Sequence, residues 1–194
     1  MVIPVWMIFA SSTHTSSFIN THGLQFFLGD SFQENYLRVL LYKGGFFKEI
    51  TALKMFLNSF IMATGVAMLS VVTSLMAAYA LVYYRTKYAT FLFWLIFITI
   101  LVPLELRIFP TYSVMAKLNL VNSYFGLIVP ISASAIATLF FRQFYRTVPD
   151  ELLESAKLDG ASTWRFFIDF LVPLSRTMIA AMFIYMFVFG YKHY

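Results

Sequence analysis

Chemistry-bearing side chains are sparse in this 194-residue chain, and they fall into three sets. The first lies in ESAKLDGASTWRFFIDFLVP, residues 154–173, a polar, turn-containing block between two strongly apolar segments. Its candidates are Glu154, Ala156, Asp159, Gly160 and Ala161. Just ahead, Thr147-Val148-Pro149-Asp150 has the spacing of a capping box, Pro149 suits a first helical turn, and Asp150 and Glu151 complement the positive end of a helix dipole. Leu152, Leu153 and Ala156 give that helix a short apolar face, and Gly160 tolerates the left-handed conformation that ends a helix. Ser162 can cap a second helix through Trp164, Phe166 and Phe167. The expected element is a helix, a tight turn and another helix; on its residues alone it reads as an amphipathic connector.

The second set is Glu105 and Arg107, between Pro103 and Pro110 at the end of an apolar stretch. An ionisable residue at the centre of a membrane costs about 2.5 to 3.5 kcal/mol, so it faces a cavity or a partner. Two readings are open: Arg107 attracts an anion in a pathway, or both residues lie at the membrane boundary, where the prolines end the helix. The third set is small and hydroxylic: Ser132, Ser134 and Thr138, with Ser70, Ser74 and Ala78 at four-residue spacing on an earlier segment. Close helix packing explains such stripes, and so does the lining of a polar pathway. The chain has no cysteine, and His14, His22 and His193 stand far apart, so neither a thiolate site nor a metal site is expected. There is no G-x-x-x-x-G-K-[ST] to cradle ATP phosphates by that route.

The elements that must position these residues are membrane helices. Hydrophobic residues make up 60% of the chain and charged residues 12%, with a mean hydropathy of +0.77. The formal charge of +5 is spread in ones and twos between apolar stretches, which is the pattern of loop charges that orient helices and not of a nucleic-acid surface. About 20 apolar residues cross a bilayer core. Residues 60–84, 91–104, 124–141 and 170–190 meet or approach that length, the second reaching Pro110 only if Glu105 and Arg107 are accepted. Residues 1–10 are apolar but half a span, without the flanks of a signal peptide.

Arg85 and Lys87 follow the first full span, while Arg142, Arg146, Lys157 and Arg165 lie around the polar block, and the 111–123 connection has only Lys117. Short-loop charge bias then places 85–90 and 142–169 in the cytoplasm and 111–123 outside. By helix parity the 11–57 stretch is external although it carries Arg38, Lys43, Lys48 and Lys54; long segments translocate with less regard for charge. It reads as a loop with aromatic patches at 25–28 and 44–47 and short helices at 31–42 and 47–57, lying over the membrane face.

The polar block resembles the "EAA" loop of the permease subunits of bacterial ABC importers. Glu154, Ala156, Asp159, Gly160, Ala161 and Pro173 fall at the family positions, while Ser155, Phe170 and Val172 replace the usual residues. From Leu57 to Tyr194 the chain is similar to permeases of carbohydrate-type importers, through LNSF at 57–60, FRQFYRTVPDEL at 141–152 and a final FVFGYKHY, in which Tyr191 and Lys192 depart from the family's W-N turn. FWLIFITILVPLELRIFPTY at 93–112 and SASAIATLFFRQF at 132–144 resemble the glycerol-3-phosphate permeases of the maltose-permease-like group.

That resemblance implies an all-α, polytopic membrane helix bundle of the ABC importer transmembrane-domain type: a partial helix at 1–10, an extracytoplasmic loop at 11–57 and a permease domain at 58–194 with its coupling loop at 142–169. The subunit would form half of a gated pathway for glycerol 3-phosphate or a glycerophosphodiester in the bacterial cytoplasmic membrane, with no cofactor and no chemistry of its own. Its implied partners are membrane lipid, a second permease, two ATP-binding subunits that hydrolyse the nucleotide, and an extracytoplasmic solute-binding protein. Glu154 and Asp159 would give the polar contact to the ATPase, Gly160 the fixed turn, and Arg107 the attraction for a phosphate ester. Another sugar or polyol is the alternative cargo; a secondary transporter or a membrane scaffold is the alternative class. Met1 falls inside a half-span and Tyr194 stops where the resembling permeases continue, so a truncated fragment, unstable or inactive by itself, is expected.

Overall fold

The computed structural model describes residues 2–41, 51–84 and 87–193, and among them every regular element is helical. Residues 44–47, Lys43, Lys48 and Arg85 of the sequence reading lie outside the described residues. The chain divides into two compact units, Met1–Ser59 and Phe60–Tyr194.

The first unit opens with α1 (Val2–Ser12), whose only proline, Pro4, sits near the start where a missing N–H costs no intrahelical bond. Thr13 and His14 close its end by bonding back to Ala10 and Ser11 carbonyls. Then come α2 (Ser16–His22), which the sequence reading did not anticipate, and α3 (Phe32–Leu41), which occupies the expected 31–42 helix. Asn35 pins α3 to the end of α1 by donating its Nδ2 to the Ser12 and His14 carbonyls at 3.0 and 2.8 Å. The separate 47–57 helix is not found where it can be checked: from Ala52 the chain is already inside the long helix α4 (Ala52–Tyr83).

In the second unit α4 is continuous from Phe60 to Tyr83, while the other apolar stretches are broken. The helix α5 (Ala89–Ile98) runs through one 3-10 turn, Thr99–Leu101, and stops at Val102, which is extended because it precedes Pro103. The helix α6 (Leu104–Lys117) leaves at 107° to it. The extension of the second span to Pro110 as one helix is therefore corrected: Glu105 and Arg107 belong to a new helix. The pair α7 (Tyr124–Ser132) and α8 (Ala135–Tyr145) is bent by 46°. The helix α9 (Asp150–Leu158) leads to α10 (Thr163–Phe166), a π turn at Phe167–Leu171, α11 (Val172–Leu174) and, after a 75° bend, α12 (Arg176–His193). The π turn precedes Pro173, which has no N–H to continue the α ladder. Buried Ser175 ends α11 by donating its hydroxyl to Leu171 O at 2.6 Å.

Among the described residues α4 alone is long and apolar enough to cross a membrane, and there are up to four spans if each bent pair is counted as one. At 32 residues α4 is about 48 Å long, more than the hydrocarbon core requires. Its buried stripe in this unit is built on small residues, Ala63, Ala67, Ser70, Ser74 and Ala78, all at or near zero exposure. Such residues let helix backbones approach, which matters in lipid because apolar contact with a neighbour gains little over contact with acyl chains. At the α12 crossing, a Cβ added to Gly190 would sit 3.2 Å from Ala63 Cα and 3.4 Å from Val66 Cβ. Toward the other end of α4, Val71, Leu75 and Tyr79 pack with Phe141 and Tyr145 of α8, Ala156 of α9 and the Phe166–Phe167–Leu171 run.

Candidate functional site

The polar block folds into a helix, a sharp turn and a second helix. Asp150 and Glu151 lie in the first turn of α9, where negative charge is favoured, and Pro149 takes the N-cap position without a side-chain cap. Thr147 does not cap it, contrary to the capping-box spacing, because its hydroxyl donates to Phe144 O at 2.7 Å, the end of the preceding helix. The far end of α9 closes through a pair of nested bonds: Ala161 N donates to Ala156 O at 2.9 Å and Gly160 N to Lys157 O at 3.0 Å. That closure needs a left-handed residue at 160, and Gly160 has φ of +77°. Ser162 then caps α10, its Oγ accepting from Arg165 N at 3.2 Å, as its position in the sequence leads one to expect.

Each of the five residues singled out in this block has a distinct place. Ala156 is buried in the main core cluster and Ala161 packs against that cluster, so the two alanines are the apolar floor of the turn. Glu154 and Asp159 are exposed, with Asp159 at the C-cap. Gly160 is the left-handed residue on which the chain reverses. Two exposed apolar residues were not singled out for a role: Leu158, 90% exposed on the last turn of α9, and Trp164 at the start of α10. Hydropathy alone does not reveal the exposure of Leu158 in so apolar a sequence. The ion pair of Arg165 and Asp169, 3.2 Å apart on successive turns, is exposed and adds little to stability.

The turn is tied to the bundle behind it. Tyr79 of α4 donates its hydroxyl to Thr163 O at 2.6 Å, and its ring lies 4.8 Å from that of Phe167. The Tyr83 ring, one turn further on, meets Phe166 at 5.5 Å and Tyr145 at 6.1 Å. The turn is thus in contact with α4 and α8 through packed aromatic rings and a short hydrogen bond. Tyr79 escapes sequence reasoning because its partner lies 84 positions away.

The remaining candidates lie elsewhere. Glu105 and Arg107 are both exposed in the first turns of α6, and among the described residues neither makes a side-chain hydrogen bond or an ion pair. Ser132, Ser134 and Thr138 cluster at the α7–α8 break, where each hydroxyl serves the local backbone: Ser132 donates to Val129 O, Ser134 caps Ala137 N, and Thr138 donates to Ser134 O. From α4, Ser74 donates to Ser134 O at 3.2 Å, while the Thr73 hydroxyl lies 3.5 Å from Ser132 O. Val129 O in the last turn of α7 is thereby served by Ser132, while Ser134 O accepts from Ser74 in addition to the intrahelical Thr138 N. Among the described residues no group of histidine and carboxylate side chains is placed to hold a metal ion.

Comparison with known proteins agrees with this architecture. A family model described as "Binding-protein-dependent transport system inner membrane component" matches residues 70–194. The sn-glycerol-3-phosphate transport system permease protein UgpE of Yersinia pestis bv. Antiqua (strain Antiqua) is 51% identical over 140 residues, covering 72% of this chain and 50% of that protein. The protein of the same name from Brucella abortus (strain 2308) is 39% identical over 196 residues, covering all of this chain and 69% of its own length. The chain thus spans about half the length of the Yersinia relatives it matches. In fold it is similar to a chain of a bacterial ABC transporter involved in the import of the acidic polysaccharide alginate, with a TM-score of 0.75 over 97% of this chain and 64% of that one, at 22% identity.

Proposed function

This chain belongs to the family of inner membrane components of binding-protein-dependent transport systems, and on that footing we propose that it forms half of an ATP-driven translocation pathway for glycerol 3-phosphate or a glycerophosphodiester. A second permease subunit supplies the other half, two ATP-binding subunits drive the cycle and an extracytoplasmic solute-binding protein delivers the cargo. The cargo follows from the names of the relatives, 39 to 51% identical.

The observation that carries the mechanism is the turn at Asp159–Ala161, rigid in its backbone, exposed at Leu158 and anchored through Tyr79 to α4. In this reading an ATPase groove closes on Leu158 with Glu154 and Asp159 at its rim. The aromatic contacts of Tyr79 and Tyr83 pass that movement to the spans, and hydrolysis remains with the partner. Domain boundaries follow the same division of labour, with residues 58–194 as the permease domain and 142–169 as its coupling loop.

The test is ATP-dependent uptake of labelled glycerol 3-phosphate by vesicles holding this chain and the other subunits. Uptake and ATPase retention with the unaltered chain are the reference against which the variants are read. Uptake is expected to fall with Gly160→Val, which forces a β-branched residue to positive φ, and with Leu158→Asp, which leaves the backbone intact. ATPase retention on the membrane should fall in parallel. Full uptake and full retention in both variants would overturn the coupling role of the turn.

A further inference from the structure

The end of α8 carries Arg142 in its last turn and Arg146 at its C-cap, four residues apart and directly after the apolar stretch 124–141. Residues at that spacing are neighbours on a helix, and like charges there repel. No carboxylate answers the pair. Among the described residues neither guanidinium makes an ion pair or a side-chain hydrogen bond, and Asp150 and Glu151, the next acids along the chain, stay outside ion-pair distance of both.

Arg142 is half-buried and held in place. Its Cζ lies 3.9 Å from the centroid of the Phe93 ring near the start of α5, and its Nε is closed off from solvent without a hydrogen-bond partner. A guanidinium whose face rests on a ring keeps its donors in the plane of the fork, and the Nη atoms of Arg142 are not closed off as Nε is. Such a fork matches the oxygens of a phosphate two at a time, which an ammonium cannot do. The contact with Phe93 also places the start of α5 and the end of α8 at the same end of this unit. There Trp94 is over half exposed, its ring edge-on to Phe93 at 5.8 Å and to Phe97 at 5.6 Å. Tryptophan beside cations where apolar segments end is the arrangement of a membrane–water boundary. Further along α5, Leu95 and Ile98 are exposed and apolar.

We propose that Arg142 and Arg146 hold the phosphate of an anionic phospholipid where α5 and α8 meet, Arg142 through its Nη fork and Arg146 as a second cation, with the acyl chains beside Trp94 and the exposed apolar side chains of α5. The depth of the two arginines argues for lipid: the missing anion has to lie where the apolar stretches of both helices end, which is the level of the bilayer's own phosphates. The proposal goes beyond the transport reading, rests on this unit being a membrane domain, and holds whatever the transporter carries.

Trp6→Phe and Trp164→Phe leave Trp94 as the one tryptophan of the chain. The full chain with these two changes is reconstituted in phosphatidylcholine vesicles holding graded fractions of either phosphatidylglycerol or phosphatidylcholine brominated on an acyl chain, and quenching of Trp94 by contact with bromine is read for each lipid. Brominated phosphatidylglycerol is expected to quench at severalfold lower fraction than brominated phosphatidylcholine. Arg142→Gln should bring that ratio to about one while quenching by brominated phosphatidylcholine, which reports insertion, stays unchanged. Arg146→Gln, an exposed site whose replacement spares the Phe93 contact, should also lower the ratio. Arg165→Gln removes the same charge from an exposed ion pair of the neighbouring loop and should leave it unaltered. Equal quenching by the two lipids before any arginine is changed overturns the proposal, as does an equal fall with Arg165→Gln, which would assign the preference to diffuse surface charge. Loss of the preference when inorganic phosphate replaces chloride at matched ionic strength would make this a site for free anions and would overturn the assignment to lipid.

Discussion

At the scale of single residues, the candidate site shows how one backbone requirement selects a side chain. Among the described residues two helices end with the same pair of nested bonds, α9 at Gly160 and α6 at Asn119, whose φ is +55°. Glycine and asparagine are the residues that tolerate this conformation. Gly160→Asn should therefore restore most of the ATPase retention that Gly160→Val loses, the valine costing about 1 to 3 kcal/mol in backbone strain. Recovery measured by co-purification separates backbone geometry from side-chain contact. Arg107 offers a second residue-level expectation: Arg107→Gln should lower uptake of a phosphate ester more than uptake of any neutral cargo, through loss of a charge-assisted bond of about 1.5 to 3 kcal/mol. An unchanged half-saturating concentration for the ester would assign Arg107 to the membrane boundary, a place its exposure on α6 also suits. Gly160 and Ser162 were legible in the sequence because their roles are local. Leu158 and Tyr79 were not, because one depends on exposure and the other on a partner far along the chain.

At the scale of elements, what holds helices together here is closeness of backbone. Gly190 of α12 lies against Ala63 and Val66 of α4 with no room for a larger residue. Gly190→Leu should push these helices apart and destabilise the bundle by about 1 to 3 kcal/mol, read as a lowered unfolding midpoint in detergent. Gly23→Leu in the first unit, where an added Cβ meets nothing within 4 Å, is the matching control for helix-end glycine and tests φ alone. Broken helices were the least legible feature. A run of apolar residues announces that a segment belongs in lipid but not whether it stays straight. Pro103 signals that α5 must stop, yet no local pattern in the sequence gives the 107° at which α6 departs. The stripe Ser70, Ser74 and Ala78 was readable as a packing surface, and the structure adds that Ser74 also serves a carbonyl of the α7–α8 break.

At the scale of the whole molecule, composition marked a membrane protein, span-length apolar segments and the family resemblance gave the all-helical class, and a block of some twenty residues pointed to the permease family. Orientation is a separate proposition that rests on the short-loop charges. It predicts that a cysteine at Ser162 is shielded from a membrane-impermeant thiol reagent in intact cells and that one at Asn119 is labelled. The reverse pattern would invert the chain. Both positions are exposed or half-exposed turns, and neither has a native cysteine to confuse the readout.

The closure of α9 also determines what isotope exchange can see. The amide hydrogens of Asp159, Gly160 and Ala161 all bond back into the helix, to the carbonyls of Ser155, Lys157 and Ala156. Exchange requires such bonds to open, so the most protruding part of the loop should exchange slowly even when nothing touches it. An ATPase that docks there would add little protection to amides that are already protected. Deuterium uptake would register docking instead at Thr163 and Trp164, whose amides fall in the first turn of α10 before its ladder begins. A footprint displaced by a few residues from the surface that makes it is the expected signature of a turn whose peptide bonds face inward while its leucine faces out.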